Sequence, residues 1–236
     1  MRFIFVRHGE PNYVKDCLTE EGKRQAAAAA ERLAKEGISE IYASPCGRAS
    51  ETASYTARRL NLPVTILDYM HEISWGGDGI PADGHPWTLG DRMMEEGFDF
   101  YAEDWMEHPY FRENKAQEYF LRISGEIDDF LKKQGYVHEG RRFLCTQANE
   151  KTIALFSHGG SGACVLAHLL GLPFPYVCSV LPYDFTSITI LDFAAADGKY
   201  VFPKVELFND AAHIHKAQGG PYIQQISSDR IAEEPR

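Results

Sequence analysis

Arg2-Phe3-Ile4-Phe5-Val6-Arg7-His8-Gly9-Glu10 is the stretch from which the fold can be read. Phe3 to Val6 are aromatic or β-branched and are bracketed by charge, which predicts a strand over residues 2–6. Outward from it, Thr19 stands where an N-cap belongs, with Glu20 and Glu21 in the first turn. The helix then runs through the Ala26–Ala30 tract to about Glu36, where Gly37 supplies the stop. Ile38–Ala43 reads as a second strand, Gly47–Leu60 as a second helix and Val64–Met70 as a third strand. This strand–helix alternation predicts an α/β three-layer sandwich, with a mainly parallel central sheet and helices on both faces. We expect one domain spanning residues 1–236.

Residues 75–120 interrupt the alternation. They hold Trp75, Trp87 and Trp105, which are all the tryptophans, and ten of the 29 aromatics, so they read as an inserted aromatic subdomain with partial helical structure. Gly-Gly-Asp-Gly at 76–79 and Pro-Ala-Asp-Gly at 81–84 are turn signals near its start. Ala116–Gln134 is a helix with Phe120, Ile123, Ile127 and Leu131 on one face. Arg142–Thr146 and Thr152–Ser157 are strand-like and close enough to form a hairpin. Gly160–Leu170 returns to helix. Ser187–Phe193 and Val201–Phe208 read as two further strands around an Asp197-Gly198 turn. The polar tail from Ala211 carries no assignment.

Composition narrows the function classes. Apolar residues make up 44% and charged residues 25% of 236, as in ordinary globular chains. The apolar runs fall short of the roughly 18–20 residues of a membrane span. The charge of −10 argues against nucleic acid or an anionic membrane as partner. Eleven acids and three bases fall within 75–120, so the acidity belongs to the insertion and the remaining scaffold is nearly neutral. Arg2 follows Met1 too closely for a signal peptide. Five cysteines without CxxC spacing suit reduced thiols, so we expect a cytoplasmic protein.

The chemistry gathers at predicted strand ends, which face the ligand crevice in a parallel sheet. Arg7 and His8 end the first strand. Arg48 follows the second, at a helix start where anions are favoured. Glu72 follows the third. His158 and the Gly159 amide follow Ile153-Ala154-Leu155-Phe156-Ser157. Each alone is most simply a surface charge, a loop carboxylate or a core histidine. Together, two histidines, two arginines and a carboxylate suit attack on phosphorus, with cations for the oxygens and an acid for the leaving group.

Arg7-His8-Gly9-Glu10, Leu18-Thr19-Glu20-Glu21-Gly22 with Gln25-Ala26, Tyr42-Ala43-Ser44-Pro45 with Arg48-Ala49 and Glu51-Thr52-Ala53, Glu72, and Ser157-His158-Gly159 resemble, in order and separation, the histidine phosphatase superfamily with its phosphoglycerate-mutase-like fold. The resemblance implies a phosphoric monoester hydrolase that works without cofactor or metal on a small phosphorylated metabolite. It implies that His8 becomes a phosphohistidine and that Arg7, Arg48 and His158 grip the phosphoryl oxygens, the Gly159 amide adding a hydrogen bond. Glu72 would protonate the leaving alcohol and then activate water. A backbone acceptor near Gly9 would fix the tautomer of His8.

The sequence departs from the family where Pro11 follows Glu10 and Val14 stands where an asparagine is common. Asn12, close by, is carried as a substrate-binding candidate, as is Trp75. The alternatives are mutase-type phosphoryl transfer and a catalytically weak phospho-ligand-binding member. The 75–120 insertion reads as a lid following Glu72, or else as core filling or a homodimer contact. His213-Ile214-His215 lacks a third metal ligand at suitable spacing, and Cys46 reads as a small half-buried thiol.

Overall fold

The computed structural model describes residues 1–76 and 86–214. In chain order the elements are β1 (Arg2–Arg7), β2 (Pro11–Asn12), β3 (Cys17–Leu18), α1 (Glu20–Leu33), β4 (Glu40–Ala43), α2 (Gly47–Leu60) and β5 (Val64–Ile66). Then come α3 (Pro86–Glu95), α4 (Pro109–Arg112), α5 (Lys115–Lys133), β6 (Tyr136–Glu139), β7 (Arg142–Cys145), β8 (Thr152–Ser157), α6 (Gly159–Leu170) and α7 (Phe174–Val180). β9 (Ile188–Asp192), β10 (Tyr200–Val201) and β11 (Lys204–Asp210) follow.

A six-stranded sheet has the order β11-β9-β1-β8-β4-β5. β1, β8, β4 and β5 run parallel, and β9 is antiparallel to both its neighbours. Alternate side chains of each strand face opposite ways, and the core divides accordingly. Phe3, Phe5, Ile153, Leu155, Leu191 and Phe193 pack with α3, α5, α6 and α7. Ile4, Val6, Ala154, Phe156, Ile188 and Ile190 pack with Leu33 of α1 and with Ala53 and Ala57 of α2. The three layers expected from the alternation are therefore present.

Thr19 caps α1, its hydroxyl accepting from the Gly22 amide at 3.0 Å. The helix ends at Leu33, three residues before Glu36, and Gly37 adopts φ +70° in the turn that follows. α2 has the expected ends. The third strand stops at Ile66, and Asp68–Met70 form a 3-10 turn that carries the chain toward Glu72.

The hairpin expected between Arg142–Thr146 and Thr152–Ser157 does not form. β7 pairs with β6 and β10 in a separate three-stranded sheet, whereas β8 lies at the centre of the main one. The reason is burial. All six residues of β8 are buried, and such a strand needs neighbours on both edges and cover on both faces. The hairpin partner of β7 is Tyr136–Glu139, turned by Gly140 at φ +69°.

Within 75–120 the described part sends a set of apolar side chains into the core. Leu89, Met93, Phe100, Trp105 and Phe111 are buried with Phe120 and Phe174. Trp105 meets Phe111, Phe120 and Phe174 with ring centroids 5.2 to 5.9 Å apart. The turn signals at 77–79 and 81–84 lie outside the described residues, as do His215 and the tail beyond it. Among the described residues no single helix is long and apolar enough to cross a membrane.

Candidate active site

Register in the parallel sheet brings the chemical groups together. Arg7 of β1 lies opposite Ser157 of β8, and the Ser44 amide donates to the Phe156 carbonyl at 2.9 Å. His8, His158 and Ser44 are therefore the first residues beyond three adjacent strand ends. His8 is 1% exposed and His158 0%. Their rings meet edge to face, centroids 5.2 Å apart.

The loop from Gly9 is tied down by the motif residues around it. The Gly9 amide donates to the Thr52 hydroxyl at 3.0 Å, Glu10 to Gln25 Oε1 at 2.8 Å and Leu18 to Glu51 Oε2 at 2.7 Å. Two glycines let this loop lie against the start of α1. A Cβ on Gly9 would stand 2.7 Å from the Gly22 carbonyl oxygen, and one on Gly22 would strike the Glu10 carbonyl oxygen.

His8 Nδ1 lies 2.7 Å from the carbonyl oxygen of Gly9. A carbonyl only accepts, so Nδ1 carries the proton and Nε2 the lone pair. Burial holds the pKa of His8 well below 6.5, and His158, whenever protonated, and the Arg7 guanidinium press it the same way. Phe185 packs on His8 at 5.7 Å and carries the Arg7 guanidinium 4.4 Å above its ring.

Arg7 donates from Nη1 to the Tyr183 carbonyl at 2.6 Å. Arg48, 9% exposed, donates from Nη1 to Asp16 Oδ1 at 2.5 Å, while the other oxygen of Asp16 takes the Gly47 amide at 2.6 Å. Burial would raise the Asp16 carboxyl, but the Gly47 amide and Arg48 bring it below its ordinary value. His158 Nε2 lies 2.7 Å from the Ser44 hydroxyl oxygen, which itself accepts from the Cys46 amide at 3.2 Å. Ser44 can donate to Nε2, and in that arrangement the His158 proton sits on Nδ1. Burial, then Arg48 and Arg7, holds His158 well below 6.5, so it is a neutral donor at pH 7. Arg7 Nε, Arg48 Nε and His158 Nδ1 are buried without a hydrogen-bond partner among the described residues. Buried donors of this kind suit an anionic ligand.

Glu72 sits at the start of α6. Oε1 accepts from the Ser161 and Ile73 amides at 2.9 Å, and Oε2 from the Gly160 amide at 3.2 Å. Burial raises its pKa above 4.5 despite those three amides. A Cβ on Gly160 would stand 2.5 Å from Ile73 and 2.8 Å from both Glu72 and Trp75, so only glycine leaves room for the carboxylate here. Trp75 thus flanks Glu72. Trp87 lies beside Gly159 and meets Trp75 at 5.4 Å.

The geometry brings together Arg7, His8, Arg48, Glu72, His158 and Gly159, with Trp75 at the edge. Asn12 is turned elsewhere, its Oδ1 accepting from the Lys15 amide at 3.1 Å in the turn between β2 and β3. Sequence reasoning did not single out Asp16, Ser44, Trp87, Tyr183 or Phe185. Ser44 was within the quoted Ser-Pro segment and Asp16 preceded Leu18-Thr19. Tyr183 and Phe185 reach the site only because β9 returns antiparallel beside β1, which no local signal announces. Cys46 Sγ lies 3.3 Å from His71 Nδ1 beside the site.

Such a cluster of paired histidines and arginines at parallel strand ends defines an α/β fold with a candidate anion site. The chain belongs to the histidine phosphatase superfamily (branch 1), whose family model matches residues 3–205. It is 29% identical over 145 residues to phosphoserine phosphatase 1 of Hydrogenobacter thermophilus, a match covering 56% of this chain and 64% of that protein. It is 27% identical to a probable phosphoglycerate mutase GpmB of Enterobacter sp., over 91% of this chain and 95% of the other. A similar fold occurs in phosphoserine phosphatase of Entamoeba histolytica, solved with phosphoserine (TM-score 0.60, 21% identity, 90% and 98% of the two chains covered). A mycobacterial glucosyl-3-phosphoglycerate phosphatase is similar too (TM-score 0.61, 22% identity, 88% and 98%).

Proposed function

We propose that this protein hydrolyses a small-molecule phosphomonoester through a phosphohistidine on His8, without a metal. The observation that carries the reading is the His8 ring, with Nδ1 committed to the Gly9 carbonyl and a pKa well below 6.5. A neutral imidazole with a fixed lone pair on Nε2 is what attack on phosphorus requires.

In the first step His8 Nε2 bonds to phosphorus and the ester oxygen leaves. Arg7 and Arg48 offset the charge on the phosphoryl oxygens, and His158 Nδ1–H and the Gly159 amide donate to them. Glu72, protonated more readily than an ordinary glutamate, gives its proton to the leaving oxygen. In the second step Glu72 takes a proton from water, whose oxygen bonds to phosphorus. The N–P bond breaks, and inorganic phosphate and free His8 result. Trp75 and Trp87 line the side on which a leaving group would stand. With the acidity of 75–120, they favour a leaving group without a second anionic group. In this reading the insertion is a lid at its Trp75–Trp87 edge.

The nearly full-length similarity to the probable mutase favours a second reading, in which the phosphoryl group returns from His8 to a bound acceptor. One experiment separates the two. p-Nitrophenyl phosphate is offered with EDTA to the wild type and to His8→Ala, followed by a phosphoserine-containing panel and a 3-phosphoglycerate isomerisation assay. Turnover that survives EDTA and is lost in His8→Ala, with phosphate release and no isomerisation, supports hydrolysis. No wild-type turnover on any substrate would sink it.

A further inference from the structure

On the far side of the fold, three elements converge on one carboxylate. Asp128 of α5 meets His168 Nε2 of α6 at 2.7 Å on Oδ1, and His138 Nδ1 of β6 lies astride the carboxylate, 3.0 Å from Oδ1 and hydrogen-bonded to Oδ2 at 3.2 Å. All three ligand atoms lie within 4.8 Å of one another, the one such group of three among the described residues. The rings are held in place. His138 lies flat on Phe143, centroids 4.5 Å apart and planes 12° apart, and meets His168 edge-on at 4.7 Å. The side chains keep 14% to 34% of their surface exposed, so one side of the cluster is open to solvent.

We propose that Asp128, His138 and His168 bind one divalent transition-metal ion of the zinc class, with solvent completing the coordination. Four-coordinate zinc takes nitrogen and oxygen ligands at about 2.0–2.2 Å, which sets neighbouring ligand atoms roughly 3.3 Å apart. The nitrogen–oxygen separations here, 2.7 Å for His168 and 3.0 Å for His138, are shorter than that, so the ligands must part by about half an ångström to admit an ion. To bind the ion each neutral imidazole presents its lone pair, His138 through Nδ1 and His168 through Nε2, its one proton residing on the other ring nitrogen. Two imidazoles and one carboxylate select zinc, cobalt or nickel over magnesium or calcium, which prefer all-oxygen sets.

The site is separate from the phosphoryl site. His168 lies nine residues beyond Gly159 in α6, about 14 Å along the axis. The ion would staple α5 and α6 to the sheet of β6, β7 and β10, and would stabilise the fold by mass action without entering the chemistry.

The test uses tag-free protein, stripped with EDTA and desalted, then titrated with zinc chloride by calorimetry and with cobalt(II) by visible absorption. One equivalent is expected to bind and to raise the thermal midpoint, with turnover of p-nitrophenyl phosphate unchanged. Asp128→Asn and His168→Gln are each expected to weaken binding about tenfold or more, with near-wild-type turnover showing that they fold. Should either fail to fold, His138→Gln at the sheet edge carries the same expectation. Absence of saturable binding overturns the proposal. So does binding unchanged in the variants, which would put zinc elsewhere, for instance on the Cys46–His71 pair.

Discussion

The Gly9 carbonyl lies 2.7 Å from His8 Nδ1, so a backbone atom one residue away sets which nitrogen of the ring carries the lone pair. His8→Ala removes the nucleophile and is expected to lower kcat by about 10³-fold or more. Quenched wild-type reactions are expected to hold an acid-labile, alkali-stable phosphoryl group that His8→Ala lacks. Labelling of the variant equal to that of the wild type would count against His8.

The pH dependence of activity follows from two opposed shifts. His8 is held below 6.5 and so stays neutral into the acidic range, while Glu72 is raised above 4.5 and keeps its proton for longer. kcat/KM is therefore expected to peak on the acidic side of neutrality and to fall as Glu72 ionises. Glu72→Gln should flatten the falling limb and slow alkyl phosphates more than p-nitrophenyl phosphate. Equal slowing of both substrates would remove the acid role from Glu72.

Stability has the opposite pH sense. The unfolded chain binds protons at ordinary histidine values near 6.5, whereas folded His8 and His158 do not. Below that pH the unfolded state binds more protons, so stability is lost as the pH is lowered, by up to about 1.4 kcal/mol per unit for each proton. The raised Glu72 works against this, because the folded state holds its proton to higher pH. Thermal midpoints from pH 7.5 down to 5 are expected to drop for the wild type and to drop less for His158→Asn. Identical slopes would show that His158 is not the buried neutral group.

Much of the candidate site was legible because its residues follow strands with a strongly apolar, β-prone composition. Phe3–Val6 and Ile153–Phe156 read as buried strands, and Arg7, His8, His158 and Gly159 follow within three residues of them. Pairing was less legible. Nothing in Arg142–Cys145 tells it to join Tyr136–Glu139 rather than Thr152–Ser157, because that choice is made by the cover on both faces of β8. Residues delivered by tertiary return are the least legible. Phe185 sits 5.7 Å from His8 across 177 positions of chain, and its own neighbours announce only a loop.

Asp16 illustrates a role carried through another residue. It bridges the Gly47 amide and Arg48 from a backbone at φ +46°. With 43% of its side chain exposed, its ion pair is expected to contribute about 1 kcal/mol or less to stability. Its effect on Arg48 geometry should be larger. Asp16→Ala is expected to raise KM about tenfold with a smaller change in kcat, and Asp16→Asn, which still accepts from Gly47, to fall between. A fall in stability with an unchanged KM would reduce Asp16 to a loop brace.

Gly22 and Gly37 make an internal comparison. Gly37 has open space around its missing Cβ but adopts φ +70°, so Gly37→Ala carries only a backbone penalty, about 1 kcal/mol. At Gly22 a Cβ meets the Glu10 carbonyl oxygen, a backbone atom that cannot rotate aside. The loop bearing Gly9 and Glu10 must then lift from α1. That strains the bond from the Glu10 amide to Gln25 and shifts the carbonyl that holds the His8 ring. Gly22→Ala is therefore expected to cost about 1–3 kcal/mol in denaturant unfolding and about tenfold in kcat, while Gly37→Ala leaves kcat unchanged. If the two substitutions lowered kcat alike, the close approach of α1 to the His8 loop would not be what orients the nucleophile.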